Sequence, residues 1–222
     1  MVEILYENNE ILVCVKPAGT LSEKSDKPNS LPLIIEKEKL EASYPVSLFA
    51  VHRLDKEVSG VMVFAKSANA AAKLSAQISD RSFHKEYLAI VEGVPEKESD
   101  VLKDLLFKDS TKNKTFVVKR ARKGVKEASL EYTTLASKDE SSLLKIVLHT
   151  GRTHQIRVQF ASRGHSIIGD KKYGSKSSLA AITLCSHKIA FADPITKKPL
   201  EFTYVPTELD LWNTYDDVLK SL

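Results

Sequence analysis

Short apolar runs, each closed by a turn or a polar loop, constrain this chain more than any other feature of its sequence. Residues 11–15, 61–65, 143–148 and 182–191 are short and carry the Val, Ile and Phe that suit a pleated surface. Residues 4–6 and 11–15, with Asn8 and Asn9 between them, predict an amino-terminal hairpin, and Lys16-Pro17-Ala18-Gly19 ends its second strand. Further strands are expected over residues 86–92, stopping at Gly93, and over the alternating residues 129–135. A closing pair is expected at 182–191 and 200–205, joined through Asp193-Pro194.

Helical spacing is rarer. Leu33, Ile34, Lys37 and Leu40 predict a short helix over 31–40. Asn69 is the expected cap of a helix over 70–79, with Ala72, Leu74, Ala76 and Ile78 as its buried stripe. Thr153 is the expected cap of a helix that puts Ile156 and Phe160 on one face and stops near Arg163-Gly164. Strands outnumber helices and short turns separate many of them. The expected class is therefore α+β, a mixed, largely antiparallel β-sheet flanked by helices, in one domain over 1–222.

The length of 222 residues is enough for a sizeable core, and 42% hydrophobic with 28% charged residues is ordinary for a globular protein. No stretch approaches the roughly 20 apolar residues of a membrane helix, and residues 1–7 lack the basic start and apolar centre of a secretory signal. A cytoplasmic protein without a membrane partner is the default expectation. Cys14 and Cys185 sit in strand-like runs outside any CxxC pair or Cys/His cluster, which predicts buried thiols, no disulfide and no metal site. There is no GxGxxG, GxxxxGK[ST] or HExxH, so nothing points to a nucleotide cofactor or a zinc hydrolase.

The net charge of +4 is unevenly spread. Lys108, Lys112, Lys114, Lys119, Arg120, Arg122, Lys123 and Lys126 crowd one stretch in which Asp109 is the only acid. Such a stretch suits a polyanion, and equally a solvated loop and strand face.

Two polar segments stand out. His52-Arg53-Leu54-Asp55-Lys56-Glu57-Val58-Ser59-Gly60 interrupts two apolar runs, either as a functional loop on a sheet or as a turn in which Asp55 bonds backbone amides. Thr150-Gly151-Arg152-Thr153-His154-Gln155-Ile156-Arg157 puts cations near a helix start, against the helix dipole, where they need a carboxylate or a phosphate.

Taken in order with Lys16-Pro17-Ala18-Gly19, Lys85-Glu86-Tyr87-Leu88-Ala89, Gly169-Asp170 and Tyr173-Gly174, these segments resemble the motif set of the RluA-type pseudouridine synthases over nearly the whole chain. Each motif alone is weakly specific, whereas the ordered set is strongly so. The resemblance implies the pseudouridine synthase fold with a catalytic cleft across the sheet, and an enzyme that isomerises uridine in ribosomal RNA or tRNA without a cofactor. It implies Asp55 as nucleophile, Tyr87 packed against the target base, and Arg157 paired with the Asp55 carboxylate. Arg53, His52, Arg152, His154, Gln155 and Lys126 become substrate contacts. An arginine partner would keep the carboxylate ionised, as covalent catalysis requires. Addition to C6 of the base, attack on C1′ of the ribose, and assisted loss of the 2′ proton all remain open.

Val58 stands where that family usually has threonine, which removes a hydroxyl beside Ser59-Gly60 and raises a question about loop packing. The separate small RNA-binding domain attached to some relatives is expected to be absent before residues 1–15, and a monomeric catalytic domain is expected. Competing readings are a catalytically silent RNA-binding or ribosome-assembly protein on the same fold, and an aspartate-dependent hydrolase or transferase for a small molecule. Salt separates the last from the others: RNA affinity should fall by orders of magnitude between about 50 and 200 mM salt when several phosphates are contacted. Filter binding with unlabelled salt titration measures this, and a flat response would leave the small-molecule reading standing.

Overall fold

Asn8 makes the first turn. Its Oδ1 accepts the N–H groups of Glu10 and Ile11 at 2.8 and 2.9 Å, and the chain folds back as the predicted hairpin. In the computed structural model, which describes residues 1–179, 181–207 and 209–222, the elements follow in this order. First come β1 (Ile4–Glu7), β2 (Ile11–Lys16), α1 (Leu31–Glu41), β3 (Phe49–Ala50), β4 (Ser59–Ala65), α2 (Ala68–Ser79) and β5 (His84–Glu92). Then come β6 (Ser99–Asp109), β7 (Lys114–Val118), β8 (Val125–Lys138), β9 (Ser141–Leu148) and α3 (Gln155–Ala161). The chain closes with β10 (Leu184–Ala192), β11 (Pro199–Thr203), α4 (Asp210–Asn213) and α5 (Asp216–Leu219). These elements divide into two compact units, Met1–Lys85 with Cys185–Pro206, and Glu86–Leu184 with Thr207–Leu222.

In the first unit β2 is buried along its whole length and pairs antiparallel with β4, from Ile11 opposite Ala65 to Lys16 opposite Gly60. β1 pairs antiparallel with β2, and β3 with β4. β10 runs parallel to β4, with β11 antiparallel beyond it, which makes the sheet mixed. Ile11, Val13, Val61, Val63, Leu74, Phe83, Ile189 and Phe191 form the core, where Phe83 and Phe191 stack with ring centres 5.1 Å apart.

The second unit is an antiparallel meander in the order β5, β9, β8, β6, β7. Val158 of α3 packs with Leu106, Ala128 and Tyr173. The buried Tyr215 between α4 and α5 exchanges a hydrogen bond of 2.8 Å with Ser141 at the head of β9. The whole is α+β with a largely antiparallel sheet, as predicted. No helix among the described residues is long and apolar enough to cross a membrane. Cys14 and Cys185 are buried and form no disulfide.

Local readings need three corrections. Ser67, not Asn69, caps α2: its Oγ accepts the Ala70 N–H at 3.1 Å and donates to Glu10, while Asn69 lies exposed in the first turn. The buried face of α2 carries Ala70 and Leu74, with Ala71 and Ile78 packing beside them, whereas Ala72 and Ala76 are exposed. Alternation belongs to strands, and a helix turns those two alanines to solvent. The third correction is at α3, where His154 takes the cap position in a left-handed conformation at φ 53° and makes no side-chain cap bond, in place of Thr153. The basic stretch, read only for its charge, includes β7, the end of β6 and the start of β8.

Gly60 shows how tightly β4 and β10 meet. It adopts φ +116°, and a Cβ there would lie 2.2 Å from the Ser186 carbonyl oxygen. Gly60→Ala is expected to lower the unfolding free energy by about 3 kcal/mol in urea titrations, from overpacking and backbone strain together. A loss of under about 1 kcal/mol would mean that β10 backs away without cost.

Candidate functional site

The Asp55 loop leaves β3 and enters β4 within the first unit, and the segment following β2 holds it by backbone and buried polar groups. The buried Ser22 hydroxyl accepts the Leu54 N–H at 3.0 Å and donates to the Leu54 carbonyl at 2.8 Å. The Gly19 N–H and the Lys16 ammonium both reach the Lys56 carbonyl, at 2.8 and 3.1 Å. Within the loop the Val58 N–H closes on the Asp55 carbonyl at 3.0 Å. Leu54 and Val58 are buried on either side of the half-buried Asp55, so the valine that stands in place of threonine is a buried side chain.

Lys16 is fully buried, an unusual place for an ammonium. Desolvation brings its pKa down to about 8, and the carboxylates of Glu57 and Asp55 offset part of that fall. The ammonium also donates to the Pro17 carbonyl at 3.0 Å, so backbone dipoles share the burden. His52 is buried against Phe83, ring centres 5.5 Å apart, and its Nε2 accepts the Val63 N–H at 3.2 Å. Burial pushes its pKa down to about 3, with the Lys85 charge adding to the effect. Arg53 is exposed and pairs with Glu23 at 3.1 Å across the surface.

The second unit holds Tyr87 and Arg157. Tyr87 is buried in β5 opposite Ile146 of β9. Arg157 is buried in the first turn of α3, and Asp170 grips it bidentately, Nε to Oδ2 at 2.6 Å and Nη2 to Oδ1 at 2.8 Å. Asp170 is thus a carboxylate of the kind that cations at this helix start require. Its neighbour Gly169, at φ +85°, passes so close to the backbone that a Cβ would meet the Ala181 carbonyl oxygen at 1.9 Å.

Tyr173 lies 5.2 Å from the Arg157 guanidinium carbon, ring centre to atom, and the Lys114 ammonium is 5.1 Å from the same ring. Its hydroxyl accepts the Thr115 N–H at 2.9 Å and meets His154 Nδ1 at 2.8 Å; burial raises its pKa. Gln155 is buried as a staple: Oε1 accepts from Thr150 Oγ1 at 2.8 Å and from the Arg152 N–H at 3.0 Å, while Nε2 donates to the Ser129 carbonyl at 3.1 Å. Arg152 and Lys126 are exposed, the former bonding the Glu127 carbonyl at 2.9 Å. The basic side chains of residues 108–126 are exposed apart from the half-buried Lys114. Among the described residues no three His, Cys, Asp or Glu side chains gather as metal ligands.

Of these supporting residues, Lys16 and Asp170 stand in the motifs named above, and Ser22 stands outside them. Lys16 had a visible signal, a charge closing a fully apolar strand; Ser22 had none.

Residues 10–162 match the model of the RNA pseudouridylate synthase family. The chain is 39% identical over 184 residues to an uncharacterized RNA pseudouridine synthase of Aquifex aeolicus, covering 80% of this chain and 57% of that protein. It is 33% identical over 226 residues to the ribosomal large subunit pseudouridine synthase D of Zymomonas mobilis, covering 94% of this chain and 71% of that one. Against a solved human RNA pseudouridylate synthase domain containing 4, the TM-score is 0.76 at 23% identity, covering 98% of this chain and 93% of that one. The last match is a likeness of fold.

His52 makes the folded protein sensitive to acid. Unfolded, its imidazole titrates near 6.5, whereas in the fold it stays neutral down to about 3. Between these values the unfolded state binds the extra proton, so the stability it contributes is full above 6.5 and is lost as pH falls toward about 3. The slope reaches about 1.4 kcal/mol per pH unit. Urea titrations of the wild type and His52→Gln from pH 6.5 down to about 4.5 should show the variant with the shallower slope. Equal slopes would mean that His52 protonates alike in both states.

Proposed function

The chain belongs to the RNA pseudouridylate synthase family, and we propose that it isomerises uridine in RNA to pseudouridine with Asp55 as the nucleophile. The observation that carries the reading is the Asp55 loop itself, a family motif held at Leu54 and Lys56 by Ser22, Gly19 and Lys16. A nucleophile gains from such restraint because catalysis depends on its being held in one attacking geometry.

The reaction breaks the bond between N1 of uracil and C1′ of the ribose and makes one between C5 and C1′. A proton leaves C5 and one is taken up at N1, so atoms and electrons balance with no oxidant, reductant or energy source. In this reading Arg157 is the catalytic arginine that the motif set implies. Tyr87 packs against the extruded base, where stacking of about 1–3 kcal/mol offsets an unstacking cost of a few kcal/mol. Arg53 holds the flipped nucleotide, and Lys126, Arg152 and the basic stretch of β6 to β8 contact phosphates, which supply affinity more than sequence choice. The names of relatives such as the Zymomonas mobilis large-subunit enzyme favour ribosomal RNA as the substrate; tRNA is the further candidate, and the cytoplasm the proposed site of action.

Asp55→Asn should abolish pseudouridine formation in transcribed ribosomal RNA while leaving RNA affinity within about 3-fold of wild type, because nucleophile and phosphate contacts are separate contributions. Mass spectrometry of digested RNA and filter binding measure the two. A fully active variant would sink the nucleophile assignment, and an inactive wild type on every cellular RNA would favour the silent RNA-binding protein.

A further inference from the structure

We propose that Asp170 and Tyr173 are positioning residues for Arg157, which fix its guanidinium in one orientation for the reaction proposed above. The inference rests on the function proposed above. Asp170 and Tyr173 lie outside the stretch matched by the family model, residues 10–162, whereas Arg157 lies within it.

A guanidinium has two edges that can each make a pair of parallel hydrogen bonds, one through Nε and Nη2 and one through Nη1 and Nη2. Asp170 takes the first, at 2.6 and 2.8 Å, which directs Nη1 away from it. The Tyr173 ring then lies 5.2 Å from the guanidinium carbon and limits tilting. Neither support is loose. The Asp170 carbonyl accepts the N–H groups of Tyr173 and Ser175 at 3.1 and 3.0 Å, and the Gly169 backbone passes too close to Ala181 to admit a side chain. The Tyr173 hydroxyl is tied to Thr115 of β7, whose own hydroxyl donates to the Thr153 carbonyl at 2.9 Å.

Stability alone is a poor account of this arrangement. A buried ion pair commonly contributes no more than apolar packing of the same volume. What it does supply is direction: an arginine reaches its target through a long flexible chain, and a charge misplaced by about 1 Å can cost two orders of magnitude in rate.

The test uses the full chain and transcribed ribosomal RNA carrying tritium at C5 of uracil, since loss of the C5 proton releases the label to water. Asp170→Asn should lower kcat by about 30-fold with KM within about 3-fold. In an Arg157→Lys background the same change should cost less than about 3-fold more, because an ammonium has no second edge to orient. Tyr173→Phe, which keeps the ring, should be at least about 5-fold faster than Tyr173→Leu. If Asp170→Asn fails to fold by circular dichroism, Asp170→Glu keeps the charge, displaces it by one methylene, and is held to the same criteria. Wild-type kcat in the Asp170 variants, or losses that multiply in the double variant, would overturn the inference while leaving the isomerase reading intact. Equal rates for the two Tyr173 variants would overturn the role of the ring. A wild-type protein that releases no tritium would sink the isomerase reading and this inference with it.

Discussion

The antiparallel pairing of β2 with β4, with Lys16 opposite Gly60, is the constraint on which the first unit depends. It sets the exit from β2 beside the entry to β4, so the segment leaving one strand lies along the loop that feeds the other. Ser22, Gly19 and Lys16 can bond Leu54 and Lys56 only because that register holds. A slip by one residue would turn every side chain of β2 to the opposite face. The close approach of Ser186 to Gly60 pins the same end of β4 from its other side. The sheet thus delivers Asp55 in a loop whose backbone is bonded on both flanks of the carboxylate.

Two buried cations are accommodated in different ways. Lys16 is met by carbonyl oxygens, which lower the cost of burial without cancelling the charge, and its proton is correspondingly easier to lose. Arg157 is met by a full carboxylate in bidentate geometry. The difference follows from chemistry: an ammonium is a compact donor that carbonyls can surround, and an arginine cannot shed its proton and so requires an anion. Removing one member of such a pair typically costs about 3–5 kcal/mol, since the other is left charged in the interior.

Much of this was legible in the amino-acid order, and what was missed has identifiable physical causes. The hairpin at Asn8, the helix from Leu31 and the strand after Gly60 follow from local spacing and turn chemistry, and the structure has them. Ser67 and Asn69 are both competent caps two residues apart; the choice was made by Glu10, a contact from elsewhere in the chain that local reading does not reach. β6 was hidden because its charges masked its alternation, with Leu102 and Leu106 buried and Lys103 and Lys108 exposed. Asp55 stands out in the amino-acid order only as a letter of an ordered motif set. Asp170 was visible as a motif letter, but its grip on Arg157 depends on a turn at Gly169 that brings together groups 13 residues apart. Gln155, read as a substrate contact, is spent on Thr150, Arg152 and Ser129, and nothing in its sequence neighbourhood distinguishes a staple from a ligand.

For the isomerisation proposed above, with no redox change and no energy input, the protein's contribution would reduce to where charge and shape are held before the substrate arrives. Preorganisation of that kind is costly in the free protein, because charges that would be solvated at the surface are fixed in the interior. The supports seen here are a serine that both donates and accepts, a lysine cation among carbonyls, and a carboxylate on one edge of a guanidinium. Each buried charge among them meets oxygen acceptors or a counter-ion. That arrangement keeps the cost of rigidity within what a marginally stable fold of this size can sustain. It also confines the price to a few backbone positions, Gly60 and Gly169 among them, where no side chain fits.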